Sequence, residues 1–198
     1  MTFTINRFSI FFFMAIVLLL SGCGINNIPT YDEAADAAWS NVLNQYKRRA
    51  DLVPNLVNTV KGYAAHEKDV LTAVVEARSK VAQMQLPKDM ASNPEAFRAF
   101  QQNQDALSSA LSRLMVVVER YPDLKASQNF QTLQSQLEGT ENRIAVARRD
   151  YIDAVRRYNT ELRTIPGRWW KSLMYSDAEP RPNFTASAGV EQVPEVNF

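Results

Sequence analysis

The feature that most constrains this chain is a seven-residue repeat in its second half. Phe130, Leu137, Ile144, Tyr151, Tyr158 and Ile165 recur every seven residues, and Leu133, Thr140, Ala147 and Ala154 stand three positions after members of that series. Steps of three and four put both sets on one face of an α-helix. Gly139 is the one helix-weakening residue inside residues 130–165. The pattern therefore predicts a single helix there, roughly 50 Å long at about 1.5 Å per residue. A helix of that length with one continuous apolar stripe needs partners of similar length.

The first half supplies them. Trp39, Tyr46, Val53 and Val60 repeat every seven residues, flanked by Leu43, Ala50, Val57 and Ala64 and by Val42, Leu56 and Tyr63. Helix is expected to start near Tyr31 or Asp32, where Asp32 and Glu33 suit the positive N-terminal end of the helix dipole. Pro54 removes one backbone hydrogen bond and predicts a bend; the phase is unchanged across it, so a break is not expected. The register resumes at Val70, Val74, Ala77, Val81 and Met84. Two readings stand at residues 62–66: Gly62 favours a turn between two helices, and the unbroken register favours one kinked rod.

Residues 86–92 read as a loop, and Asn93-Pro94-Glu95 as an N-cap, a proline at the first helical position and an early acid. Phe97, Phe100, Gln104, Leu107, Leu111, Leu114, Val118 and Tyr121 then alternate threes and fours up to Pro122. A short turn to Ser127 precedes the long helix, which is expected to stop at Pro166-Gly167. Two helical turns are expected over residues 168–175, and a tail rich in proline follows. The expected fold class is all-α: an antiparallel up-and-down bundle of four main helices, the first two either separate or one rod, with an extended C-terminal tail.

The N-terminus has a different character. Arg7 is the only charge before Cys23, and residues 10–20 form an eleven-residue apolar run, short of the roughly 20 needed to cross a bilayer as a helix. A charged start, a short apolar middle and small residues before the cut are the form of a secretory signal. Leu20-Ser21-Gly22-Cys23 resembles the lipobox of bacterial lipoproteins. That resemblance implies cleavage before Cys23 and acylation of its thiol by palmitate-class chains, usually with a third chain on the new amine. Two or three acyl chains anchor a protein stably where one would not. Removing Arg7 leaves the basic residues equal in number to the 21 acidic ones. A nucleic-acid binder would carry a basic excess, so no nucleic-acid partner is expected.

Longer motifs carry a family resemblance. Gln45-Tyr46-Lys47-Arg48-Arg49-Ala50-Asp51-Leu52-Val53-Pro54-Asn55-Leu56-Val57, Lys61-Gly62-Tyr63-Ala64-Ala65-His66-Glu67, Tyr121-Pro122-Asp123-Leu124-Lys125-Ala126, residues 140–151 and the ending Val193-Pro194-Glu195-Val196-Asn197-Phe198 resemble the LemA family over about residues 31–198. The resemblance implies an antiparallel helical bundle facing away from a membrane anchor, and no agreed activity. The chain departs from the family at Ile152, where Asn is usual after Arg-Arg-x-Tyr. The expected division is a signal peptide over residues 1–22, a tether over 23–30, the LemA-like bundle over 31–166, and a short helix with an extended tail over 167–198.

The residues set aside as candidates are polar groups on apolar faces. Arg49 shares a heptad column with Leu56 and Tyr63; Glu141 and Arg148 border the inward column of the long helix, and Arg78 that of the second. A charge removed from water must be paired. Glu141 is expected either to pair with Arg49 or Arg148 and fix the register between helices, or to leave all three reaching toward solvent. Arg149, Arg156 and Arg163 form a basic line that reads either as a solvated face or as a contact for a partner. Trp169 and Trp170, beside Arg168 and Lys171, either cap the core or sit at a membrane headgroup layer, where tryptophan is favoured. The terminal residues 193–198, with Val196 and Phe198 two apart, either lie along the bundle or add to a partner's sheet edge.

No catalytic residues, metal site or cofactor are expected. His66 is the only histidine and Cys23 the only cysteine, so no Ser/His/Asp or Cys/His set assembles without one of them, and no phosphate-binding glycine loop occurs. The reading is a lipid-anchored, non-catalytic scaffold of the bacterial cell envelope, facing the periplasm or exterior and engaging an envelope protein partner. Gly24 is not an acidic retention residue, which points to the outer membrane where one exists. The alternative is a structural protein touching lipid headgroups or cell wall through its basic, Trp-rich end.

Overall fold

The computed structural model describes residues 24–84 and 93–184. All regular structure among them is helical: α1 (Asn27–Tyr63), α2 (Lys68–Gln83), α3 (Pro94–Val118), α4 (Pro122–Ala126), α5 (Gln128–Glu161) and α6 (Gly167–Met174). The four long helices run in alternating directions. Trp39 near the start of α1 meets Phe97 at the start of α3 and Tyr151 late in α5. At the other end Val60, Leu71, Val118 and Phe130 share one apolar cluster. An all-α antiparallel bundle results, as the heptad seams imply.

The heptad columns are the core. Trp39, Val42, Tyr46, Val53, Leu56 and Val60 from α1 and Phe130, Leu137, Ile144, Tyr151 and Tyr158 from α5 are all buried. These two helices form the longest interface of the bundle, and α2 and α3 pack as a second antiparallel pair. The choice at residues 62–66 resolves as a turn: α1 ends at Tyr63, and α2 begins at Lys68. Ala64 and Glu67 close the bend through a backbone hydrogen bond of 3.1 Å.

Pro54 lies inside α1 without ending it. Proline cannot donate to the carbonyl four residues earlier, which is that of Ala50. The Arg78 Nε of α2 donates to that oxygen at 3.3 Å. A side chain from the neighbouring helix thus satisfies the acceptor that the proline frees. This explains why the helix survives and why a cation stands at the margin of the α2 seam.

The N-caps follow the sequence closely. The Asn93 side chain accepts from the Glu95 and Ala96 backbone amides at 3.0 and 3.1 Å, and Ser127 Oγ accepts from the Phe130 amide at 3.2 Å. Three boundaries differ from expectation. First, α1 starts at Asn27, four residues before Tyr31, and so takes up half of the supposed tether. Pro29 then sits in the first helical turn, where an amide hydrogen has no partner to lose. Second, Pro122 begins the short helix α4 where only a turn was expected. Third, α5 ends at Glu161, before Ile165. Pro166 disfavours helical geometry at the residue before it, and Ile165 is left 64% exposed. The supposed tail is also ordered at its start: Arg181 is buried and Phe184 packs against the core.

Candidate functional site

The polar residues on apolar faces converge on one layer across the middle of the bundle. It separates the cluster around Val53, Leu107 and Leu137 from the cluster around Tyr46, Phe100 and Ile144. Arg49 is its centre, 1% exposed. Its Nη1 donates to Glu141 Oε1 at 3.0 Å and to Ser108 Oγ at 2.7 Å. Its Nη2 donates to the Gln104 carbonyl at 3.1 Å and to Gln104 Oε1 at 2.7 Å. One guanidinium therefore joins α1, α3 and α5. It also lies 5.0 Å from the Tyr46 ring centroid. Thr140, buried beside this layer, donates its hydroxyl to the Gln136 carbonyl at 2.7 Å. A one-turn slip of any of the three helices would strand a buried charge, so the layer specifies register.

A second polar constellation holds the start of the tail. Arg181 donates from Nε to Asp32 Oδ1 at 2.9 Å, and from Nη1 and Nη2 to the two carboxylate oxygens of Asp36 at 2.6 and 3.0 Å. Burial disfavours its charge, but the hydrogen bond to Asp36 and the two carboxylates outweigh that and raise its pKa. Asn159 pairs with the Arg181 backbone in both directions, donating to its carbonyl and accepting from its amide, each at 2.9 Å. The Tyr151 hydroxyl donates to the Pro182 carbonyl at 3.0 Å. Phe184 enters an aromatic box of Trp39, Phe97 and Tyr151, with centroids 4.8 to 6.2 Å away. Arg148 stacks on the outer face of Phe184 at 4.4 Å. Arg148 thus serves the tail, while Glu141 faces Arg49.

The remaining candidates are on the surface. Arg149 lies 3.8 Å from Asp150, and Arg156 lies 2.9 Å from Asp153. Arg163 and His66 are exposed. Trp170 faces inward with Ile28, Tyr31, Tyr158 and Leu162, whereas Trp169 is 57% exposed. Leu20, Ser21, Gly22, Cys23 and residues 193–198 lie outside the described residues. Among the described residues no group of three or more His, Cys, Asp or Glu could hold a metal ion, and no helix is long and apolar enough to cross a membrane.

The segment 140–151 is used on every side. Thr140, Ile144, Ala147 and Tyr151 are buried, Glu141 holds Arg49, and Arg148 covers Phe184. The residues that the interior does not use turn outward. Asn142, Arg143, Val146 and Asp150, together with Asn41 and Gln45 of α1, line a shallow groove of about 290 Å³. Val146 is 48% exposed there, and the buried Gln45 Oε1 has no hydrogen-bond partner. An apolar side chain flanked by amides, a cation and a carboxylate is equipped to hold a polypeptide surface; it offers no nucleophile with an adjacent base. Sequence reasoning missed Gln104 and Ser108 as partners of Arg49, and it missed Asp32, Asp36, Asn159, Arg181 and Phe184. Arg181 and Phe184 were legible only as a cation and an aromatic in a proline-rich stretch.

An elongated antiparallel bundle with a polar register layer and a docked tail places the chain, as a class, among the all-α helical bundles. The chain belongs to the LemA family, whose model matches residues 38–198. It is similar to the magnetosome proteins MamQ 2 and MamQ 1 of Paramagnetospirillum magneticum, each 26% identical over 166 residues, covering 76% of this chain and 60% of theirs. It is also similar to the magnetosome protein MamQ of Magnetospirillum gryphiswaldense, 26% identical over 157 residues, covering 71% of this chain and 58% of that one. The chain thus aligns with less than two thirds of the length of these relatives.

Proposed function

We propose that this protein is a lipid-anchored, non-catalytic binding scaffold of the bacterial cell envelope. Cys23 carries the acyl chains, and the bundle faces the periplasm or exterior. The outer membrane is the destination where one exists. The α1–α5 groove docks an envelope protein. The observation that carries the reading is the division of labour within residues 140–151. One set of side chains locks the bundle, and the other forms a groove that the fold itself does not need. Relatives named for a cellular structure instead of a reaction are consistent with such a role.

Attachment at one end suits this task. Gly24 abuts Glu161, and Asn27 Nδ2 donates to Glu161 Oε1 at 3.2 Å. Asn41 and Gln45 stand 14 and 18 residues after the first residue of α1, about 21–27 Å along it, which sets the groove off from the end where the chain enters. The test is photocrosslinking in living cells from a reactive residue placed at Val146, with Val116 on α3 as the control position. One or a few envelope proteins captured from Val146 and not from Val116 support the reading. Identical adducts from both positions, or none from Val146, refute it.

A further inference from the structure

Four of the eight large hydrophobic side chains left exposed among the described residues fall within residues 165–174: Ile165, Trp169, Leu173 and Met174, at 64, 57, 75 and 58% exposure. Of the other four, Val146 belongs to the α1–α5 groove, and Tyr63, Val75 and Val116 stand singly on three different helices, as exposed hydrophobics ordinarily do. Trp169 and Leu173 are four apart on α6 and share one face. Trp170, one position on, points the other way into the cluster of Ile28, Tyr158 and Leu162. So α6 is anchored by one face and presents an apolar second face, bordered by Arg163, Arg168 and Lys171, to the outside. Acids at this end, Asp32, Glu33, Asp36, Glu161, Asp177 and Glu179, match its cations in number, so the basic character is confined to the border of the apolar face.

The position of this face identifies its occupant. Ile28 and Tyr31, in the first turn or so of α1, pack in the same cluster as Trp170, so α6 lies at the end of the bundle where the chain enters. The apolar run of residues 10–20 ends three residues before Cys23, and Cys23 is bonded to Gly24. A chain spans at most about 3.5 Å per residue, so an anchor at Cys23 keeps this end within a few ångströms of the bilayer surface. Tryptophan with aliphatic neighbours and a basic border is the composition that settles at the boundary between headgroups and acyl chains.

We infer that Ile165, Trp169, Leu173 and Met174 form a second membrane contact, which inserts into the headgroup layer of the bilayer that holds the anchor and stands the bundle upright on it. The inference rests on the anchor proposed above. The anchor alone would leave the bundle free to tilt, and two contacts at one end fix the direction in which the groove faces.

The test uses the full chain extracted from membranes and reconstituted into vesicles of phosphatidylethanolamine and phosphatidylglycerol, with or without bromine on the acyl chains. Bromolipids should quench part of the tryptophan emission. That quenched part should disappear in Trp169→Phe and persist in Trp39→Phe, since Trp39 is a core residue. Protein that floats with the vesicles but is unquenched overturns the inference and leaves the anchor standing. So does quenching that survives Trp169→Phe. Protein that does not float with the vesicles overturns both.

Discussion

Arg49 is the residue whose replacement reports most directly on how the bundle is held in register. Arg49→Ala removes a buried side chain that bonds α1 to α3 and α5, and it leaves the buried Gln104 Oε1 without its donor. Removing one member of a buried pair typically costs about 3–5 kcal/mol, and an orphaned buried acceptor accounts for roughly 1–3 of that. Glu141 is 43% exposed on the other side of the same bond. Water solvates its carboxylate readily, so Glu141→Gln removes little: about 1 kcal/mol, toward the exposed-pair range. The Arg49 guanidinium then still has Gln104 and Ser108. Arg49→Leu combined with Gln104→Leu should recover much of the loss, because a well-packed apolar layer replaces a polar one at little net cost. Urea unfolding followed by the emission of the core residue Trp39 measures all three. An Arg49→Ala loss below about 1 kcal/mol, or a Glu141→Gln loss equal to it, refutes the view that the buried guanidinium ties three helices together.

Arg181→Ala should release the start of the tail and cost about 2 kcal/mol, the value of charge-assisted bonds to carboxylates discounted because Asp32 and Asp36 are about half exposed; limited proteolysis should then cut between residues 176 and 184, and an unchanged digest would contradict the clamp. Gly139→Ala and Gly167→Ala should act in opposite directions. A Cβ at Gly139 meets nothing, so alanine should stabilise by about 0.5–1 kcal/mol, whereas at Gly167 it runs into the Glu161 backbone carbonyl and should lower the melting temperature. Stability should also fall in alkali. Burial raises the pKa values of Tyr46, Tyr151 and Tyr158, the last to about 12. The unfolded chain therefore ionises near 10.0 while the folded chain keeps its protons. The contribution of Tyr158 is complete below pH about 10 and is lost as pH rises through about 12, and those of Tyr46 and Tyr151 are likewise lost above the usual tyrosine range. Urea midpoints across that window should decline less steeply in Tyr158→Phe, and an unchanged slope would remove Tyr158 from the account.

The fold was legible in the sequence because heptad seams record burial directly. Phe130 to Tyr158 and Trp39 to Val60 predict which faces meet, and the periodicity holds through Pro54 because Arg78 repairs the backbone there. Boundaries set by proline were less legible. Pro29 reads as a breaker but is harmless in a first turn, and Pro166 ends α5 one turn early by constraining Ile165. Register alone could not decide between turn and rod at residues 62–66, since both keep the same phase. The site was half visible. Arg49 in an apolar column demands partners, and Gln104 stands in the inward series of α3, yet nothing in the spacing pairs the two or names Ser108, because those contacts depend on the rotation of α3 about its own axis. The tail clamp was the least accessible, since Arg181 meets Asp36 across 145 positions of chain and belongs to no periodic pattern.

Every membrane role proposed for this protein depends on where the mature chain begins and what Cys23 carries. Mass spectrometry of the protein extracted from cell membranes reads this directly. The expected result is an N-terminal peptide starting at Cys23 and bearing two or three acyl chains. A mature chain that begins upstream of residue 23, or a Cys23 without lipid, would contradict the account.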